Sequence, residues 1–281
     1  MLARRACRSF LAQSRGYSST ATRPVPTLSD GSVEAFRKNA FLPALPTILP
    51  QSSQAHLPAA TKWFTVPSDS SSEIQLNTPY LSHFANVELP VEITSNGQFA
   101  RIQQSLGFFL NASALDFSSA QAYIAQAPLS DLPQALHEDV PTPELVLRAG
   151  KGDVYDSSIW LGKAPTYTPL HRDPNPNLFV QLAGKKVIRL YEPRIGNMVF
   201  SKVQEMIGGS ASATMRGEEM MQGKEKEMLE HEVWGDGQDK VGGVWQASLS
   251  AGDALFIPKG WWHSVKGIGN GMNGSVNWWF R

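Results

Sequence analysis

His171 and Asp173 stand two residues apart, and a second histidine, His263, comes much later in the stretch GDALFIPKGWWH. Side chains at positions i and i+2 of a strand share a face, so His171 and Asp173 would point to the same side of an extended segment. Two imidazoles and one carboxylate held by a rigid sheet would bind iron(II) on one face and leave its other positions open for a co-substrate and oxygen. Each residue also has a purely structural reading. His171 can cap a turn, Asp173 can open the turn it forms with Pro174, and His263 can be covered by Trp261 and Trp262.

The elements that must position these residues are strands. Leu178, Val180 and Leu182 alternate along one run, and Val187, Arg189 and Tyr191 along the next. Gly184, followed by Lys185 and Lys186, predicts a hairpin between them, because glycine tolerates the backbone angles of a tight turn. The segment WQASLSAGDALFIP predicts a strand, a Gly252-Asp253 turn and a second strand through Leu255 to Ile257, whose ladder Pro258 ends. Ser275 to Phe280 predicts a closing strand in which Asn277, the one amide among apolar and aromatic neighbours, needs an inward partner. His231 lies between Glu230 and Glu232 in a charged segment, lacks the glycine, aspartate and proline frame of His263, and is set aside as a ligand.

Taken together these motifs resemble the Jumonji-C branch of the iron(II)- and 2-oxoglutarate-dependent oxygenases, and within it the small protein hydroxylases. The family pattern of His-x-Asp followed by a distal histidine behind a Gly-Asp turn and a proline is matched by His171, Asp173, Gly252, Asp253, Pro258 and His263. The resemblance runs from about Phe41 to the carboxyl terminus and is dense from Trp160. It implies a mainly β chain, a double-stranded β-helix of the cupin or jelly-roll type with flanking helices. It implies His171, Asp173 and His263 as metal ligands, and 2-oxoglutarate as the co-substrate. Thr168 and Lys186 match the threonine and lysine that hold the distal carboxylate there, with Tyr123, Asn177 and Asn277 lining the same pocket. The activity implied is hydroxylation of an amino-acid side chain in a protein substrate, with succinate and carbon dioxide as co-products. Hydroxylation of a modified nucleoside in tRNA, lysine demethylation, a cupin using another divalent metal and a catalytically silent cupin serving as a binding protein stand as alternatives. Trp160, Trp261 and Trp262 read either as shields of the site or as plain barrel packing. Arg172, between the proximal ligands, departs from the aromatic or apolar residue of many relatives and either faces outward or contacts substrate.

Composition narrows the rest. The 281 residues suffice for one domain with a sizeable core. With 18% charged and 42% apolar residues the chain is ordinary for a globular protein. The single cysteine, Cys7, leaves no intrachain disulfide and no cysteine-based zinc site. No apolar run approaches the ~20 residues that cross a bilayer as a helix, so no stable membrane association is expected. The sequence leaves a homodimer open.

The first residues differ from the body. Arg4, Arg5, Arg8 and Arg15 occur with serines and apolar residues before the first acid, Asp30, the composition of a mitochondrial transit peptide. Arg15-Gly16-Tyr17-Ser18 resembles a processing site, which predicts a leader over 1–17, a linker over 18–31, a catalytic domain over 32–281 and a location in the mitochondrial matrix. The alternative is a basic tail without order. Losing four of 25 basic residues leaves 21 against 25 acidic ones, a net-acidic body that offers no general platform for a phosphate backbone.

In chain order, Asp30 or Ser32 is expected to cap a helix over VEAFRKN, since a side-chain oxygen there satisfies free amide donors. FLPALPTI predicts an edge segment, and Lys62 to Val66 a first strand. Tyr80 to Phe84 predicts a helical turn and Val87 to Thr94 a strand. A helix ending near Ala120 would precede a strand carrying Tyr123, and Leu129 to Leu136 would be a short helix. Residues 204–240 form a polar insertion. Its charged, methionine-bearing part fits a surface helix covering the barrel, or a partner interface.

Overall fold

The computed structural model describes residues 22–51, 57–65, 73–115, 120–209, 218–235 and 242–281. The chain begins with β1 (Arg23–Pro24), α1 (Val33–Phe36), β2 (Thr47–Leu49), α2 (Ala59–Lys62), β3 (Phe64–Thr65), β4 (Gln75–Leu76) and α3 (Thr78–Leu81). It continues through β5 (Glu88–Ser95), β6 (Gln98–Ser105), α4 (Leu106–Ala114), β7 (Ala120–Pro128), α5 (Gln134–Glu138) and α6 (Glu144–Arg148). Then come β8 (Val154–Lys163), β9 (Thr166–Arg172), β10 (Asn177–Ala183), β11 (Lys185–Tyr191), α7 (Pro193–Ile207) and α8 (Gly223–Trp234). The last strands are β12 (Trp245–Ser250), β13 (Ala254–Ile257), β14 (Trp262–Ile268) and β15 (Met272–Phe280).

Two sheets face each other. One has five strands in the order β1-β12-β11-β14-β9, the other eight in the order β2-β13-β10-β15-β8-β7-β5-β6. From β8 onward the chain steps back and forth between them, pausing in the smaller sheet only at β11 and β12. This is the double-stranded β-helix that the resemblance implies. Strand alternation then sorts the side chains. On β10, Leu178, Val180 and Leu182 join the outer cluster beneath the amino-terminal helices, with Phe36, Trp63, Phe109 and Trp278. Phe179 turns the other way, into an interior cluster with Ile188, Leu190, Leu249, Leu255, Ile257 and Trp261 from both sheets. Each such buried side chain contributes about 1.5–3 kcal/mol before entropy is counted.

Several local expectations change in tertiary context. The turn at Gly184 (φ 72°) does not close a hairpin: β10 is flanked by β13 and β15, and β11 by β12 and β14. Both edges of each strand are taken, so the turn carries the chain from one sheet to the other. Part of the stretch expected as a linker is docked. Arg23 and Pro24 pair in parallel with Trp245 and Gln246, and Val25 is buried, covering the edge that β12 would otherwise expose. Ser32 supplies the cap of α1, its Oγ accepting from the Ala35 amide at 3.2 Å, while Asp30 accepts from the amide of Ser32.

Lys62 belongs to a helix and only Phe64–Thr65 is strand, while Val66 lies outside the described residues. Asp139, fully buried, anchors this segment: it accepts from Lys62 Nζ at 2.6 Å, Trp63 Nε1 at 2.9 Å and the Tyr80 hydroxyl at 2.6 Å. The helix expected to end near Ala120 falls on 116–119, outside the described residues, and Ala120 itself opens β7. Leu129 to Leu136 divides into a 3-10 turn over Leu129–Asp131 and α5.

The polar insertion takes in the end of α7 and all of α8. α7 and α8 bury Val199, Phe200, Val203, Leu229 and Val233 against Leu170 and Trp262 on the outer face of the smaller sheet. Their charged residues tie down the rim. Lys202 pairs with Glu232 at 2.9 Å, Lys266 with Glu230 at 2.6 Å, and the Arg189 guanidinium lies 4.6 Å over the Trp234 ring. Residues 210–217 and 236–240 of the insertion, like the expected leader, lie outside the described residues.

Candidate active site

His171 near the end of β9 and His263 near the start of β14 are direct partners across the smaller sheet, with ring centroids 4.2 Å apart. Each ring is oriented by its Nδ1, which lies 2.8 Å from the Pro169 carbonyl in His171 and 3.2 Å from the Trp261 carbonyl in His263. Donating there leaves both Nε2 lone pairs free for a metal. Asp173 follows one residue beyond β9, its carbonyl accepting from the Gly260 amide at 3.2 Å. Its carboxylate lies 3.6 Å from His263 Nε2 and 4.0 Å from His171 Nε2. All three ligand atoms fall within 4.8 Å of one another. Neighbouring donors on an octahedral metal with ~2.1 Å bonds sit about 3 Å apart, so these residues fit such an ion with a small closing movement.

The electrostatics agree with that fit. Burial pushes the Asp173 carboxyl up, but His263, His171 and the hydrogen bonds from Trp279 and Asn177 outweigh it, and the net shift is downward. Burial and the neighbouring His171 pull His263 well below the usual imidazole range, against the opposing pull of Asp173. A carboxylate and a neutral imidazole at neutral pH are the forms that bind metal.

Lys186 lies in the same cavity. Only 3% exposed, it donates to Ser275 Oγ at 2.8 Å, lies 3.5 Å from the Tyr123 hydroxyl and sits 5.2 Å over the Phe179 ring. No carboxylate is paired with it among the described residues, and burial pulls its amine down to about 7. A buried cation is stable when an anion joins it, so the cavity is built for an acidic ligand. Burial, with Glu92 adding to it, pushes the Tyr123 phenol far up, keeping it a hydrogen-bond donor. Gly162 makes room for that ring: a side-chain carbon there would overlap Tyr123.

The structure brings the expected site residues into one cavity: Tyr123, Thr168, His171, Asp173, Asn177, Lys186, His263 and Asn277 all line it, with Trp160, Phe179, Val265 and Trp279. Asn177 and Asn277 make a relay, Asn277 Nδ2 donating to Asn177 Oδ1 and Asn177 Nδ2 to Asp173 Oδ2, both at 3.0 Å. Asn277 Oδ1 is buried and has no partner among the described residues, a polar atom ready for a ligand or water. The three tryptophans divide. Trp160 lines the cavity, Trp261 packs in the barrel interior, and Trp262 lies under α7 against Phe200. Arg172 faces outward over the Trp262 ring at 5.5 Å. His231 is exposed on α8, outside the metal cluster.

Two participants were missed by sequence reasoning, Ser275 and Trp279. Their signal was the period-two spacing Ser275, Asn277, Trp279, which places all three on the face of β15 that looks into the barrel.

Residues 91–281 match the family model described as a cupin-like domain. The chain belongs to the cupin-like domain family. Within it, the triad and the relatives place it in the Jumonji-C branch of the iron(II)- and 2-oxoglutarate-dependent oxygenases. This cupin-like chain is 30% identical over 258 residues to "Lysine-specific demethylase JMJ30" of Arabidopsis thaliana, covering 89% of this chain and 53% of that protein. It is 25% identical to "Lysine-specific demethylase 8" of Xenopus tropicalis, covering 91% and 52% of the two chains. It is 28% identical to "Jumonji C domain-containing protein 5" of Drosophila melanogaster, covering 92% and 61%. The match therefore spans a little over half the length of these relatives. Among the described residues of this cupin-like chain, no helix is long and apolar enough to cross a membrane.

Proposed function

We propose that this chain is an iron(II)- and 2-oxoglutarate-dependent oxygenase that hydroxylates a side chain of a protein substrate. The observation that carries the reading is the buried Lys186, which has no carboxylate partner among the described residues and shares one cavity with the His171, Asp173 and His263 triad. Bound iron supplies the oxygen chemistry, by which 2-oxoglutarate and oxygen become succinate and carbon dioxide while one oxygen atom enters a carbon-hydrogen bond of the substrate.

The chain's own residues bind and orient. Lys186 would hold the distal carboxylate of 2-oxoglutarate through a charge-assisted hydrogen bond that is strong because the site is dry. Ser275 keeps that amine in place, and the Tyr123 phenol and Thr168 add donors on the same wall. Asn177 and Asn277 line the cavity on the triad side, and Trp160 and Trp279 shape it for substrate.

The test is succinate formation by the purified chain with iron(II), oxygen and labelled 2-oxoglutarate, beside a His171→Ala control. Succinate that depends on His171 supports the reading. Its absence, together with no 2-oxoglutarate binding by the metal-loaded protein, would favour a silent cupin. The names of two relatives favour a second outcome of the same chemistry, removal of a methyl group from lysine. Mass spectrometry of a modified substrate separates the two, since hydroxylation adds an oxygen and demethylation removes a methyl group as formaldehyde. We also propose that the arginine-rich stretch over 1–17 directs the chain to the mitochondrial matrix. Sequencing the amino terminus of the protein recovered from mitochondria tests this, and a terminus at Ser18 is the expected result.

A further inference from the structure

We infer that Trp279 is a positioning residue that selects which oxygen of Asp173 binds the metal. The two histidines need no such help, because direct strand pairing and their Nδ1 contacts fix both rings. Asp173 lies past the end of β9, where no ladder sets the rotation of its carboxylate. Two donors set it instead, and both reach the same oxygen: Trp279 Nε1 at 2.7 Å and Asn177 Nδ2 at 3.0 Å from Oδ2. Asn177 and Trp279 are themselves direct partners across β10 and β15, so the two donors stand side by side on the larger sheet. A carboxylate oxygen offers about two lone-pair directions, and two N–H groups occupy both.

Both oxygens face the triad, Oδ1 at 4.0 Å from His171 Nε2 and Oδ2 at 3.6 Å from His263 Nε2, but only Oδ1 has no donor among the described residues and so keeps its lone pairs free. Asp173 is thereby set to ligate through Oδ1 alone, which keeps the carboxylate from taking a second coordination position. The indole is rigid and part of it lines the cavity, so this hydrogen bond also fixes the carboxylate relative to whatever enters there.

The inference rests on the metal reading of the triad, and manganese(II), inert toward oxygen at such sites, probes both. The full chain, stripped of metal, would be titrated with manganese(II) as wild type, Trp279→Phe, Trp279→His and Trp278→Phe. Trp278 is the packing control: it is fully buried in the outer core and its Nε1 has no partner among the described residues. Trp279→Phe should weaken manganese(II) binding about tenfold to a hundredfold. It should also alter the visible spectrum of the cobalt(II) form, the signature of a changed carboxylate geometry. Trp279→His, which keeps a ring N–H, should recover part of the affinity, and it serves as the second probe if the phenylalanine variant does not fold. Trp278→Phe should lower the melting temperature and leave manganese(II) affinity unchanged. Wild-type affinity and an unchanged cobalt(II) spectrum in Trp279→Phe would overturn the inference. No manganese(II) binding by the wild type would instead overturn the metal reading beneath it.

Discussion

Replacing Lys186 by methionine should make the ligand-free protein more stable at neutral pH while destroying its co-substrate site. The amine sits 3% exposed and burial pulls it from 10.5 to about 7. The sign follows from proton counting. Between those two values the unfolded chain keeps a proton that the native lysine gives up, so stability rises with pH across that window. At pH 7 the cost of burying the group is on the order of 4 kcal/mol, and it falls below about 1 kcal/mol near pH 10. Methionine fills a similar volume without charge, but it strands the Ser275 hydroxyl that now accepts at 2.8 Å, a loss of about 1 kcal/mol. The net expectation is a gain of about 3 kcal/mol at pH 7 that fades by pH 10. Urea unfolding of both proteins, free of metal and co-substrate, at the two pH values measures it. Adding 2-oxoglutarate to the metal-loaded proteins should reverse the order. At a thousandfold excess over Kd it stabilises the wild type by about 4.1 kcal/mol, more than the gap of about 3 kcal/mol, and leaves the methionine variant unmoved. A methionine variant that is less stable at pH 7, or whose advantage does not change with pH, would refute the argument that Lys186 is a buried cation awaiting an anion.

Three further outcomes are expected. In the wild type, 2-oxoglutarate affinity should fall as pH rises above about 7, by up to tenfold per unit, because binding must then return a proton to Lys186; calorimetry in buffers of different ionisation enthalpy would show that uptake. His171→Ala and Asp173→Ala should each abolish both manganese(II) binding and succinate formation, and retained turnover in either would remove the triad from the mechanism. Gly162→Val should drive the Tyr123 ring out of its seat and weaken 2-oxoglutarate binding, whereas an unchanged dissociation constant would mean that the phenol has no part in the site.

The local sequence carried a large share of the site. His171 and Asp173 sit on one side because strand side chains alternate, and the Gly252-Asp253 turn and Pro258 frame His263 by backbone chemistry that any neighbourhood would respect. Lys186 was legible through the resemblance, since nothing in Gly184-Lys185-Lys186 itself says which lysine turns inward. Pairing decided it: Lys186 alternates with Ile188 and Leu190 toward the interior, while Lys185 is exposed.

Other features existed only once the sheets were assembled. The Gly184 turn looks the same whether it closes a hairpin or crosses between sheets, and the choice depended on β13, β15, β12 and β14, up to about ninety residues away. The insertion reads as solvated charge until Leu229 and Val233 meet Leu170 and Trp262. Trp278 and Trp279 are adjacent and chemically identical, yet one is buried in the outer core with its indole N–H unpartnered among the described residues and the other donates to Asp173. By itself the sequence determined which groups can hold a metal, because ligand chemistry belongs to residue types and short spacings. Tertiary structure alone decided which neighbours orient them and that Lys186 is buried without a carboxylate partner among the described residues, because both depend on the register of strands far apart in the chain.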